Sequence, residues 1–416
     1  MSIFGTLRAP RNIIFGAGQR RAASGYARQL GSKALIVTDE RLAADCELRS
    51  LVDALTLVGV HSAVFSGTIA ELPLDCLAAG SEAGRRMGAD LVIGFGGGSC
   101  LDAAKIIALV LAHGGHPRDF YGEFKVPGPT LPVIAIPSTA GTGSEMTPVA
   151  VVADPEREVK VGIASPHLIP HTAICDPELT YSCPPALTAA SGADALTHAI
   201  EAFTNRSREA TASLTHEHVF LGKNVLSDHF ALLAISYLTG SLKQAFDDGT
   251  NIEARERVMF GSLAAGLAFG AAGTAAAHAV QYPVGALTHT PHGLGVAVLM
   301  PYVMAFNRRH CEAELAQIAG AMGIRSEGQS QGQLAEGAIA AVDALFSSVG
   351  IPRTIADLGI TAKHLPFVVE QALGSVRLIK NNPRELDQSS MASLVQQAFS
   401  GQPETALDRG DCQKAS

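Results

Sequence analysis

The chain has 416 residues, 47% of them hydrophobic and only 17% charged, which excludes a disordered polymer and exceeds what one ordinary core holds, so two domains are expected. A formal net charge of −8 with no basic cluster excludes nucleic acid and anionic membrane as natural partners and leaves small molecules.

In chain order, residues 33–37 (Lys-Ala-Leu-Ile-Val) read as a buried strand closed by Thr38 and Asp39, residues 62–65 as a second strand, 90–95 as a third and 131–136 as a fourth. Helical patterns at 77–87 and 101–111 lie between them. That rhythm predicts a mostly parallel sheet covered on both faces. At Pro184-Pro185 the texture changes, because neither proline continues a ladder or a helix from its predecessor. Beyond it, Ala/Leu-rich helical patterns dominate at 186–203, 228–246, 252–269 and 332–349. The expected organisation is an α/β N-terminal domain with a parallel sheet (1–185) and an all-α C-terminal domain (186–416), with a ligand crevice between them.

Two small-residue loops follow predicted strands. Gly96-Gly97-Gly98-Ser99 opens a helix, where glycines admit a phosphate closely and free amides favour an anion. Ser99 is suited to cap that helix or to donate to a phosphate oxygen. The second loop runs from Pro137 through Ser138, Thr139, Gly141, Thr142 and Gly143 to Glu145, and both loops at strand ends can line one crevice. Asp39, also at a strand end, has two readings. It caps a turn, or it accepts hydrogen bonds from an adenosine ribose and repels a 2′-phosphate, favouring NAD over NADP. The acid precedes the glycines, so this is not the usual dinucleotide fingerprint.

Asp194 and His198 are four apart within one predicted helix and share a face. His278 lies in an apolar run, and His292 in Pro291-His292-Gly293, read as a turn. Singly, each has a bland reading as a surface pair, a satisfied core histidine or a turn residue. Together, three imidazoles and a carboxylate make a mixed N/O site suited to Fe2+ or Zn2+ with a position left for substrate oxygen. His216 and His218 have H-x-H spacing but read as part of a polar loop.

The chain resembles the iron-containing (group III) alcohol dehydrogenases over essentially its whole length. The resemblance rests on Gly96–Ser99 with Asp102 and Lys105, on Pro137–Glu145, on Gly192–Glu201 with Asp194 and His198, on His278, on Pro291-His292-Gly293 and on Asn382-Pro383-Arg384. It implies a dehydroquinate synthase-like fold: a dinucleotide-binding α/β domain and a helical metal domain. It further implies Asp194, His198, His278 and His292 as metal ligands, and Gly97, Gly98 and Ser99 at the pyrophosphate with Ser138, Thr139 and Thr142 nearby. Asp39 would face the ribose, Lys160 would reach the nicotinamide side, and Phe269, flanked by small Gly266, Ala268 and Gly270, would line a modest substrate pocket. The implied activity is hydride transfer between NAD(H) and a small alcohol or its carbonyl, with Fe2+ (or Zn2+), by a homodimer or higher oligomer.

Three departures stand out. Tyr282 occupies the place where many members carry a second histidine, so Tyr282, as a proton relay, and His292 are the expected catalytic side chains. Ala70-Glu71-Leu72-Pro73 replaces a Pro-Asn-Pro. The stretch 214–228 is long, and with Tyr282 it resembles the hydroxyacid-oxoacid transhydrogenases, the alternative function, in which the nicotinamide is held tightly.

Seven scattered cysteines without a C-x-x-C suit reduced thiols, the N-terminus lacks a signal-peptide pattern, and no uninterrupted apolar run approaches the roughly 20 residues that span a bilayer. A soluble cytoplasmic protein is expected.

Overall fold

Among the described residues, short apolar segments form nine strands: β1 (Asn12–Phe15), β2 (Lys33–Val37), β3 (His61–Phe65), β4 (Leu91–Gly96), β5 (Gly122–Glu123), β6 (Val133–Pro137), β7 (Val149–Val152), β8 (Val161–Ala164) and β9 (Thr172–Cys175). The structure is a computed structural model describing residues 3–157 and 160–403; Cys412, one of the seven cysteines, lies outside them. Six strands make one parallel sheet in the order β1-β9-β6-β4-β2-β3. The remaining three form a small sheet, β5-β8-β7, whose β7–β8 pair is antiparallel. Sequence patterning missed β1, β9 and the small sheet because each strand has four residues or fewer, too short for a period to register.

Alternation within the strands assigns the faces of the large sheet. Ala34 and Ile36 pack with Ala27 of α1 (Ala23–Leu30) and Leu51 of α2 (Cys46–Leu57). Leu35 and Val37 pack on the other face with Leu77 of α3 (Leu74–Met87) and Ile107 of α4 (Gly98–His113). The expected doubly covered parallel sheet is therefore present. Chain order reverses at β2: β3 lies to one side of it and β4 to the other, leaving a crevice beyond their carboxyl ends.

After β9 the described residues are helical apart from their connections. The longer helices are α5 (Pro185–Thr204), α6 (Val225–Asp247), α7 (Ile252–Ala272), α8 (Ala276–Thr288), α9 (His292–Asn307), α10 (Glu312–Ala321), α11 (Gln331–Ser348), α12 (Leu365–Gly374) and α13 (Gln388–Ser400). Pro184 is the N-cap of α5 and Pro185 its first residue, where a missing amide hydrogen costs nothing. The α7–α8 pair bends by 102° at residues 273–275. Among the described residues α6 alone is, as a single helix, long and apolar enough by length and composition to cross a membrane, a test that the core helix of a globular protein also passes. Its Ala231, Ala234, Ile235, Leu238 and Leu242 are buried in the helical core against α5 and α7.

Candidate active site

A cavity of about 450 Å³ lies between the carboxyl ends of β2, β4 and β6 and the helices α5, α7, α8 and α9. Asp39, Gly97, Gly98, Ser99, Thr139, Thr142 and Lys160 all line it. Ser138 does not: it is buried behind the wall, its Oγ without a hydrogen-bond partner.

The helix after the glycine turn starts at Gly98, three residues earlier than the sequence pattern placed it, with Gly97 as N-cap and no side chain capping it. Ser99 is thus inside the first turn and is not a cap. A Cβ on Gly98 would stand 2.6 Å from Thr142 Cγ2, so only glycine lets the two loops meet this closely. Asp39 makes the turn cap of its first reading. Its Oδ1 accepts from the Leu42 amide at 2.8 Å, capping a short helix, while the residue also lines the cavity. Lys160 is held by Glu71, Nζ to Oε2 2.7 Å.

Asp102 and Lys105 fix the floor beneath these loops. Asp102 Oδ1 accepts from Ser144 Oγ at 2.5 Å and Oδ2 from the Val151 amide at 2.9 Å, tying α4 to the second loop and to β7. Lys105 is fully buried; its ammonium donates to Thr147 O (3.1 Å), Thr147 Oγ1 (3.2 Å) and Val149 O (2.8 Å). Burial pulls its pKa down to about 8, with Asp102 opposing the shift.

Asp194, His278 and His292 offer ligand atoms that all lie within 4.8 Å of one another. His198 sits outside that trio but beside it, its Nε2 2.9 Å from His278 Nε2 and its Nδ1 3.8 Å from Asp194 Oδ1. Asp194 Oδ1 is buried with no hydrogen-bond partner; His292 Nε2 comes no closer than 3.9 Å. Burial lifts the Asp194 carboxyl to about 7, and it pushes His198 and His292 well below the usual imidazole value, with the neighbouring His278 adding to both. Neutral imidazoles converging on an orphaned buried carboxylate oxygen fit a divalent cation and little else. His198 is braced by Phe269, their rings stacked at 4.0 Å.

His292 does not sit in a turn; it is the first residue of α9, with Pro291 as N-cap. The Pro-His-Gly pattern mimics a turn, yet its glycine serves packing: a Cβ on Gly293 would lie 2.3 Å from Ala190 O of α5. That close crossing brings His292 to Asp194. Gly266 likewise serves loop packing, since its Cβ would meet Gly143 O at 3.0 Å, and neither it nor Gly270 lines the cavity. Phe269 does, as does Tyr282, whose ring centroid is 6.2 Å from that of His292 and whose pKa burial raises.

Two residues on or beside this site escaped sequence reasoning. Glu201 Oε2 accepts from His278 Nδ1 at 2.6 Å, orienting that ring; its spacing of seven from Asp194, two turns on one helix face, was the available signal. Arg377 lines the cavity from a six-residue helix far along the chain, and no local pattern announces it.

Comparison with known proteins agrees with this geometry. The family model "Iron-containing alcohol dehydrogenase" matches residues 10–177, and that for the C-terminal part of the Fe-containing alcohol dehydrogenase family matches 188–399. The chain is 35% identical to a 1,3-propanediol dehydrogenase from Klebsiella pneumoniae, over 89% of this chain and 92% of that one. A solved 1,3-propanediol oxidoreductase superposes with a TM-score of 0.89 at 33% identity, covering 95% of this chain and all of its own. The sulfoacetaldehyde reductase of Bifidobacterium kashiwanohense, solved in complex with NAD+, gives 0.81 at 26% identity, covering 96% of this chain and 99% of its own.

Proposed function

Because this chain belongs to the iron-containing alcohol dehydrogenase family, we propose that it interconverts a small alcohol and its aldehyde or ketone, with NAD as hydride partner and Fe2+, or in its place Zn2+, as the bound cation. The relatives are alcohol and aldehyde oxidoreductases, so the transhydrogenase alternative drawn from Tyr282 and residues 214–228 is not favoured. One observation carries the proposal. A single cavity is lined from its sheet side by an uncapped, glycine-opened helix start and from its helical side by a buried Asp–His cluster with a carboxylate oxygen left without a partner.

Asp194, His198, His278 and His292 would hold the cation. When bound, it supplies Lewis-acid polarisation of the substrate oxygen, which eases hydride exchange at the adjoining carbon. The first-turn amides after Gly97 would receive the pyrophosphate, at the positive end of the α4 dipole. Asp39 Oδ2, free of the cap made by Oδ1, would accept from a ribose hydroxyl and disfavour a 2′-phosphate. Phe269, which lines the cavity and braces His198, would help keep water from the reacting face. Tyr282, with a raised pKa, keeps its phenolic proton through neutral pH and would pass it to or from the substrate oxygen. The acidic balance of charge supports a small-molecule substrate over nucleic acid.

The test is metal analysis of the purified protein beside nicotinamide absorbance with a panel of short alcohols, diols, aldehydes and ketones. Turnover abolished by chelator and restored by Fe2+ or Zn2+ is expected. No nicotinamide consumed with any compound and either metal would overturn the proposal.

A further inference from the structure

One part of the cavity wall belongs to none of the motifs above: Phe220, Thr274 and Arg377. The Arg377 guanidinium lies over the Phe220 ring, 4.2 Å from its centroid. Its only ion pair among the described residues is a long one, Nε to Glu123 Oε1 at 3.8 Å, and Glu123 is itself engaged by the Val219 amide through Oε2 at 3.1 Å. Arg377 Nη1 is buried and has no hydrogen-bond partner. Of the titratable groups acting on it, Tyr282 and then Glu123 favour its charge, and Arg208, whose Nε is also buried without a partner, opposes it. This corner therefore holds more guanidinium donors than acceptors, an arrangement that is costly unless something arrives to accept them.

What arrives must fit beside the Asp–His cluster. Tyr282 is one helical turn from His278, its ring centroid is 6.2 Å from that of His292, and it lines the same cavity of about 450 Å³ as Arg377, so the two ends of a short compound would face one space. A planar, permanently charged fork suits a carboxylate or a sulfonate.

We infer that Arg377 determines specificity and that the substrate is a short carbonyl compound bearing an anionic head group, carboxylate or sulfonate, reduced to the matching hydroxy acid. This rests on the oxidoreductase reading above. The reduced nicotinamide gives hydride to the carbonyl carbon, one proton goes to the oxygen, and the anionic group leaves unchanged, paired with Arg377 throughout.

The experiment compares oxo acids of two to five carbons, and a sulfonate analogue, each with the neutral aldehyde of equal length, in wild type, Arg377→Gln and Arg377→Lys. In wild type, the best anionic substrate should exceed its neutral counterpart in kcat/KM by about tenfold or more. Arg377→Gln should lower that value by roughly 10- to 100-fold, mostly through KM, while neutral aldehydes change by less than about threefold. Arg377→Lys should retain part of the preference. Calorimetric titration of wild type with the matching hydroxy acid should show binding that the neutral alcohol lacks. Neutral aldehydes turned over as well as anionic ones, or both lowered alike by Arg377→Gln and Arg377→Lys, would reduce Arg377 to a brace for Phe220 while leaving the oxidoreductase standing. No carbonyl reduced at all would remove the oxidoreductase reading, and this inference with it.

Discussion

Glu201 Oε2 lies 2.6 Å from His278 Nδ1, and the same carboxylate accepts the amides of Ala275 at 2.8 Å and Ala277 at 2.7 Å. It does two things at once. It satisfies donors at the start of α8, where the chain turns sharply out of α7, and it makes His278 donate through Nδ1, leaving Nε2 with a lone pair for the cluster.

Glu201→Gln should therefore weaken metal binding by about 10- to 100-fold, because the amide cannot accept everywhere the carboxylate does. Stability should fall by about 1–3 kcal/mol from the buried groups left unpaired. Competition titration with a chromophoric chelator and thermal melts check both; unchanged metal affinity would deny Glu201 its orienting role.

Gly98→Ala should impair nicotinamide binding at least about tenfold and cost on the order of 1–3 kcal/mol, since the new methyl meets Thr142 Cγ2 at 2.6 Å. Nicotinamide fluorescence titration reads the first and denaturant melts the second. Adding Thr142→Ser, which removes the nearest atom, should restore part of each.

Tyr282→Phe should lower kcat by roughly 100-fold while metal content and KM stay close to wild type, the pattern of a lost proton donor. Burial holds the tyrosine pKa up, so the loss should persist across neutral pH. Full kcat in the phenylalanine variant at every pH would end the relay proposal.

Glu145 predicts a pH effect on stability. Burial raises its carboxyl from the ordinary 4.5 to about 7, so between those values the native protein keeps a proton that the unfolded chain has released. Rising pH then favours unfolding, by linkage. Lys105, lowered to about 8, acts with the opposite sign and only at higher pH. The difference in melting temperature between Glu145→Gln and wild type should grow from pH 5 to pH 7, with the variant gaining. A constant difference across that window would show that Glu145 is not protonated in the folded state.

How much of this was legible in the sequence depended on how local the cause was. The run Lys33–Val37 and the four-residue spacing of Asp194 and His198 carry their own periods, and both stand where the pattern put them. His278 was visible as a lone imidazole in an apolar helix. His292 was found but misplaced in a turn, because Gly293 answers to Ala190 on another helix rather than to its own neighbours. Ser138 looked equivalent to Thr139, yet only Thr139 reaches the cavity, because the chain bends immediately after β6 and turns the two side chains to different sides. Arg377 meets Phe220 only through tertiary packing, and nothing within ten residues of it foretells that.

The bonds from Asp102 to Ser144 and Val151 have a mechanical meaning. They join the start of α4, the second small-residue loop and the first strand of the antiparallel pair into one stiff plate. The wall proposed to receive a dinucleotide would then be assembled during folding, so that ordering it costs little entropy when a cofactor binds. Loosening that plate should show first as slower or weaker cofactor capture, well before the fold itself gives way.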